Sequence, residues 1–451
     1  MDTGGKGRAT SAGDGRIWDR EHERMPRQEL RQLQLERLQV TLNRAMRNIA
    51  FYRERFADIE IVPDGIQSLE DLAQLPLTSR ENLREGYPYG FFAVPLREVV
   101  RIDTAPGLHR RPTVCAYTRN DLRYWAELAA RVLTAAGVTA DSVVQIPFEA
   151  GMFDAAYGFV LGAELIGASV VSAPGGDYRK QVQLMHDYRA TVAVGMPSDA
   201  LRLADEVQRM GLGPRGLWLQ VALLGGEPWS EETRADIEER LGVETLDHFG
   251  VRIAAAPGLA FECEEKAGLH VSEDHFLAEI VDPETLEPLP PGSEGELVLT
   301  TLTREALPVI RHRTGDLCSL DEEPCECGRT LARMSRPKHR ADDSVVVRGV
   351  SIQPQAIARA LEALPGGPPE YQVVVGEQRP DDIQIRIAVP SQAAQAGLPA
   401  LQHAQEQIEH ELAALLGLQV RVAMVERSSL VDSAGTVQPL MDLRAQGEDD
   451  S

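Results

Sequence analysis

Aromatic residues are scarce in this 451-residue chain, at 5%, cysteines number only five, and 46 basic residues fall well short of 69 acidic ones. Each shortage excludes something. Five cysteines, three of them between Cys318 and Cys327, form an odd and unevenly spaced set, which argues against a secreted disulfide framework and for thiols or a metal site. A net charge of −23 repels phosphate backbones and anionic lipid, so nucleic acid and membrane surfaces are excluded as partners. No run approaches the roughly 20 apolar residues that a bilayer span needs. Met1 to Arg16, rich in Gly, Ser and Thr, lacks the apolar segment of a secretory signal. The expected compartment is the cytoplasm. What is present, 43% hydrophobic and 25% charged residues, is the profile of an ordinary globular protein. At about three domains' length on the usual prior, it can bury a core without disulfide help.

Residues 1–16 and the acidic tail 446–451 carry no hydrophobic period and are expected to be disordered. Regular structure is expected after Pro26, where Leu35, Leu38, Leu42, Met46 and Ile49 recur at helical steps. From Thr118 the pattern alternates. Helical stretches beginning with Asn120 to Ala136 separate the apolar runs Val143–Ile146, Ala168–Val171, Thr191–Val194 and Val221–Leu224. Such alternation predicts βαβ units and a parallel sheet covered by helices, an α/β fold. Glu296 to Thr301 alternates differently and predicts an antiparallel β region. After a polar hinge, Lys338 to Asp343, come Ser344–Val347, Tyr371–Val375, Ile383–Val389, a helix over Leu398–Leu416 and Gln419–Val425. They suffice for a small α+β domain, giving an organisation of 17–340 followed by 341–445.

An ordered series of segments spans most of the chain: Asn48 to Arg53, Arg111-Pro112-Thr113 with Tyr117-Thr118-Arg119, Gly226-Glu227-Pro228-Trp229, Pro257 to Glu264, Thr300 to Ala306, Arg313-Thr314-Gly315-Asp316, Cys325 to Thr330 and Arg348-Gly349-Val350. The series resembles the phenylacetate-CoA ligase group of the adenylate-forming superfamily. The resemblance implies a large N-terminal domain, a hinge near Asp342 and a mobile C-terminal lid that rotates between adenylation and thioester formation. It also implies a nucleotide site. Asp316 matches an aspartate that contacts the ribose hydroxyls, Arg340 a ribose- or phosphate-side arginine, and Gly107, Arg111 and Phe249 fall in nucleotide-facing segments. The alternative, that Arg313, Asp316 and Arg340 only brace the domain junction through ion pairs, stays open.

Three departures stand against the resemblance. Where the group carries a glycine- and hydroxyl-rich phosphate loop, this chain has Ala105 to Thr113, with one glycine, no hydroxyl before Thr113, and Pro106 removing an amide donor. Where a glutamate helps hold Mg²⁺, it has Ile253. Where the lid carries a lysine, it has Thr436. Losing one preorganised donor costs ~10² to 10³ in rate. The expectation is therefore a protein that has lost ordinary ATP- and Mg²⁺-dependent adenylation. It would be repurposed in specialised metabolism for condensation, acyl transfer or cyclisation of an acyl or aryl substrate, or of a thioester of CoA or a carrier protein. An inactive pseudoenzyme and a genuine ligase with an unorthodox site are the alternatives. Its candidate catalytic residues stand where the old chemistry was: His109, His248 and Arg252, the histidines suited to proton transfer near pH 7. Expected partners are the small-molecule substrate, an acyl carrier protein and a second copy of the chain.

Two cysteine pairs carry a further expectation. Cys263 with His270, and Cys325 with Cys327, are knuckle-like pairs able to close a tetrahedral Cys₃His zinc site across the β region, structural because it leaves no open position. Pro324 and Gly328 flank the second pair as a tight turn would. Buried thiols are the plainer alternative; Cys318 is a spare thiol and Cys115 a core residue.

Overall fold

The computed structural model describes residues 15–59, 63–104, 112–148, 153–337, 339–342, 344–361, 370–376, 379, 381–389, 398–416, 418–431 and 437–444. Its centre is a nine-stranded sheet in the order Leu320–Asp321, Arg333–Met334, Leu269–Val271, Ala255–Glu262, Glu244–Val251, Val221–Gly225, Val192–Gly195, Val143–Phe148, Ser169–Pro174. The five strands from Glu244–Val251 to Ser169–Pro174 run parallel, as the alternation predicts, and the other four continue antiparallel. Side chains of a strand alternate between faces, and each face makes its own core. Leu223 joins Val144, Ile146, Phe159 and Phe261 under the helices Arg119–Ala135 and Phe153–Ile166. Its neighbours Ala222 and Leu224 join Val182, Leu203 and Ile237 under Tyr178–Asp187, Pro197–Arg209 and Glu231–Leu241.

The helix Arg119–Ala135 starts at a capping box in which Thr118 accepts from Asp121 N–H and Asp121 accepts from Thr118 N–H. That box satisfies amides that the first helical turn cannot. The same Asp121 carboxylate accepts the backbone N–H groups of Glu305 (2.7 Å) and Ala306 (3.0 Å), so the Thr118 segment and the Thr300–Ala306 segment dock on one another. Beside them an antiparallel sheet forms from Phe276–Val281, Gly295–Thr301 and His312–Cys318.

Order begins earlier than the hydrophobic period suggests. Ile17 is buried, a short helix spans Arg20–Glu23 before the long helix Arg27–Asn48, and Glu23 is fully buried. Polar anchoring, invisible to an apolar period, supplies it. Beyond the hinge, the hairpin Val345–Val347/Val350–Ile352 and a sheet in the order Arg421–Val425, Ile383–Ala388, Tyr371–Val375, Leu440–Asp442 enclose a separate core with Ile408 and Leu412 of the helix Leu398–Leu416. Among the described residues no helix is long and apolar enough to cross a membrane.

Candidate active site in the interdomain cleft

A cleft of about 940 Å³ opens where the C-terminal ends of the parallel strands meet the small domain. Strand ends are where open α/β sheets hold ligands. Gly226 to Trp229, following the strand Val221–Gly225, form one wall, and Asp247 to Ile253 form another. Asp316, on the strand His312–Cys318, closes it with Arg336 and Arg340 near the domain junction and with Gly349 and Arg444 of the small domain.

The structure brings together Phe249, Arg252, His248, Asp316 and Arg340 of the expected site on this cleft. Gly107, His109, Arg111 and Thr436 lie outside the described residues, as do Glu149 to Met152. Asp316 and Arg340 face each other as an ion pair across an isolated β-bridge. Arg340 also donates to Asp342 (2.9 Å), Ser344 (2.6 Å) and the Thr314 carbonyl (2.8 Å). Burial raises the Asp316 carboxyl above its usual range, against the pull of Arg340. Burial lowers Arg80, which is set beside Arg340 and donates to Thr314 O. Asp247 accepts from the Trp229 indole (2.8 Å) and pairs with Arg336 (3.0 Å). Burial, and then Glu262 nearby, holds the Asp247 carboxyl well above its ordinary value. Two guanidiniums pack on the Trp229 ring, Arg234 at 4.7 Å and Arg336 at 5.2 Å from its centroid, cation–π contacts that hold the rim.

Sequence reasoning missed a polar network joining the two domains. Arg348 and Gly349 form the two-residue turn of the hairpin, with φ +48° and +70°. Turns of this kind demand positive φ at both positions, a strained state for arginine. Its engagement offsets that cost: the Arg348 N–H donates to Glu227 (2.9 Å), and its guanidinium pairs with Asp199 and Asp381, each at 3.0 Å. Asp381 also pairs with Arg202 (2.6 Å), and Asp205 with Arg379 (2.6 Å). An arginine followed by glycine between the run Val345–Val347 and Val350-Ser351-Ile352 was the available signal. Hydrogen bonds to charged groups contribute about 1.5–3 kcal/mol. Arg348→Ala will therefore shift the small domain toward undocked positions by about ten- to a hundredfold, read as a broadened distance distribution between dyes on the two domains. An unchanged distribution would remove this network from control of docking.

The four zinc candidates also converge. The ligand atoms of Cys263, His270, Cys325 and Cys327 lie within 4.8 Å of one another, with Cys263 Sγ to Cys325 Sγ at 3.8 Å and Cys327 Sγ to His270 Nε2 at 3.4 Å. A tetrahedron with Zn–S of about 2.3 Å and Zn–N of about 2.0–2.1 Å has edges of about 3.8 and 3.5 Å. His270 Nδ1 faces the Leu331 carbonyl at 3.4 Å, leaving Nε2 for the sulfurs. The Cys263 thiol, with His270 behind it, holds the Cys327 thiol far below its usual range. Cys115 and Cys318 are buried apart from this group, their thiols raised by burial to about 11 and about 12.

Residues 128–302 match the AMP-binding enzyme family and residues 349–444 the AMP-binding enzyme C-terminal domain. A phenylacetate-coenzyme A ligase of Thermus thermophilus is 41% identical over 375 residues, 83% of this chain and 84% of that protein. Among solved structures, 2-hydroxyisobutyryl-CoA ligase with 2-HIB-AMP and CoA in the thioesterification state superposes with a TM-score of 0.86 at 26% identity, covering 96% of this chain and 94% of that one. The same ligase in the postadenylation state gives 0.70, covering 97% and 94%. These relationships overturn the expectation of lost adenylation and a repurposed or inactive protein, because curated relatives 37 to 44% identical over 73 to 92% of the chain are phenylacetate-coenzyme A ligases. The error was one of weight. Three short segments were set against the whole scaffold, and two of them, residues 105–111 and Thr436, lie outside the described structure while Ile253 is a single buried position. The chain belongs to the phenylacetate-CoA ligase-like members of the adenylate-forming, AMP-binding enzymes.

Proposed function

We propose that this chain is an ATP-dependent acid–CoA ligase acting on a small acyl or aryl carboxylic acid. In the first step the carboxylate attacks the α-phosphorus of ATP, and pyrophosphate leaves. In the second the thiolate of CoA attacks the acyl carbon of the adenylate, and AMP leaves. The observation that carries the reading is the better superposition on a CoA ligase in its thioesterification state than on the same ligase after adenylation. The docked small domain and its Arg348 network fit the second step. Coenzyme A, rather than a carrier protein, is then the thiol partner.

The cleft residues suit a nucleotide. Asp316 and Arg340 would face the ribose side, Phe249 offers a ring face, and Arg80, Arg336 and Arg444 bring guanidiniums to the cleft. Guanidiniums are well matched to phosphate oxygens. Ile253 offers no metal ligand, so Mg²⁺ in this reading arrives on the phosphates with its waters, as it commonly does. Zinc forms part of the same proposal as a structural ion at Cys263, His270, Cys325 and Cys327, outside the chemistry because four protein ligands fill its shell.

With ATP, Mg²⁺, CoA and a panel of aryl and aliphatic acids, at least one acid should give stoichiometric thioester, AMP and pyrophosphate. Asp316→Asn should lower that rate by ~10²-fold. Absence of pyrophosphate and thioester with every acid would refute the ligase reading.

A further inference from the structure

Buried histidines in this protein find partners. His312 Nδ1 meets the Thr78 carbonyl at 3.1 Å, and His275 Nδ1 meets Thr303 Oγ1 at 2.8 Å. His248 is different. Its side chain is 4% exposed, yet neither ring nitrogen has a hydrogen-bond partner among the described residues.

The ring sits on the cleft wall where the strand Glu244–Val251 ends its parallel pairing with Val221–Gly225, on the face that packs against the helix Phe153–Ile166. The Phe159 ring meets it edge-on, with centroids 5.0 Å apart at 77°. Across the sheet, a Cβ at Gly225 would lie 2.8 Å from ring atoms Cε1 and Nε2. Only glycine leaves the imidazole room there. Ala155 and Gly226, both small, also line the cleft. The result is an imidazole held between Phe159 and the backbone at Gly225 that no other described residue satisfies. Burial lowers the imidazole to about pH 4, so at pH 7 it is neutral and offers one N–H donor and one bare nitrogen acceptor. A neutral ring without a neighbouring nucleophile is a poor proton shuttle and a good hydrogen-bonding contact.

We propose that His248 reads a polar group on the acid, so that the substrate class is an aryl acid bearing a ring hydroxyl. The inference rests on the ligase reading of the cleft and narrows its substrate. An unfunctionalised ring would cover the imidazole and leave both nitrogens unpaired. A hydroxylated one restores a bond at ~10- to 100-fold in affinity.

The test titrates phenylacetate and its three ring-hydroxylated forms into the wild type, His248→Leu and His248→Asn by calorimetry, with thioester formation measured in parallel. At least one hydroxylated acid should bind the wild type tenfold or more tightly than phenylacetate. His248→Leu should erase that preference, and His248→Asn, which keeps a donor and an acceptor, should retain part of it. Equal binding of all the acids, tighter binding of phenylacetate, binding of none, or a preference that survives in His248→Leu would each overturn the proposal. The parallel assay separates the two readings: a His248-dependent preference without thioester supports the inference and sinks the ligase, whereas thioester without the preference does the reverse.

Discussion

Glu23→Ala will destabilise the large domain by about 3–5 kcal/mol, the cost of stranding a buried charge. Glu23 and Arg329 form an ion pair at 2.6 Å in which neither side chain is exposed to solvent. Each carboxylate oxygen is engaged: one takes Arg329 Nε, and the other accepts the backbone N–H groups of Trp18 (3.0 Å) and Asp19 (2.8 Å). Arg329 spends its remaining donors on the Arg16 carbonyl and on Cys327 Sγ at 3.4 Å. Alanine removes both carboxylate oxygens and leaves a guanidinium in the core without its anion. Glu23→Gln keeps an oxygen for the two amides but turns an NH₂ donor toward the same guanidinium and strands its charge, so its cost should approach that of the alanine variant. Denaturant midpoints at constant slope measure both. A loss under 1 kcal/mol for the alanine variant would mean that water or a rearranged segment replaces the carboxylate. Because residues 15–25 hang on this pair and on Thr330, whose N–H and hydroxyl donate to the carbonyls of Glu23 and Met25, the same variant should free them to proteolysis.

Under the zinc proposal, removing the ion from Cys263, His270, Cys325 and Cys327 should lower stability by a comparable amount. At free metal a thousandfold above its dissociation constant, binding contributes about 4 kcal/mol to the folded state. Protein purified without chelator should contain one zinc per chain. Cys325→Ser should abolish that stoichiometry, and a strong chelator should move the unfolding midpoint of the wild type to that of the variant. The site sits against the first prediction: Arg329 is the cation beside the Cys327 sulfur, and Glu23 is the anion that balances it. Glu23→Ala should therefore weaken zinc retention as well, the magnitude expected of an outer partner being ten- to a hundredfold in affinity. Metal-free protein with unchanged stability in Cys325→Ser would leave the four side chains as buried thiols and a histidine.

Much of the scaffold was legible before folding because it rests on local rules. Apolar runs of four to six residues flanked by helical stretches located the strands Val143–Phe148, Val192–Gly195 and Val221–Gly225, and the period of Leu398–Leu416 marked its helix. Edges moved by one to three residues, as where Ala168–Val171 became Ser169–Pro174, because the last rungs of a strand depend on its neighbour. The four side chains of the proposed zinc site were legible as two close pairs, the second flanked by proline and glycine, and they converge in the fold. Misjudged was the weight of three motif losses, which a string of letters presents one residue at a time.

Composition, the alternation of elements, the motif series and the pairing of cysteines were fixed by sequence alone, since each depends on residues a few positions apart. Tertiary structure decided everything that joins distant positions. It placed Glu23 on Arg329, Arg348 between Asp199 and Asp381, and His248 over Gly225 with no partner among the described residues. Whether a buried polar group is satisfied depends on what the rest of the chain brings to it. That is why one histidine among several became a candidate reader of substrate only once its surroundings were known.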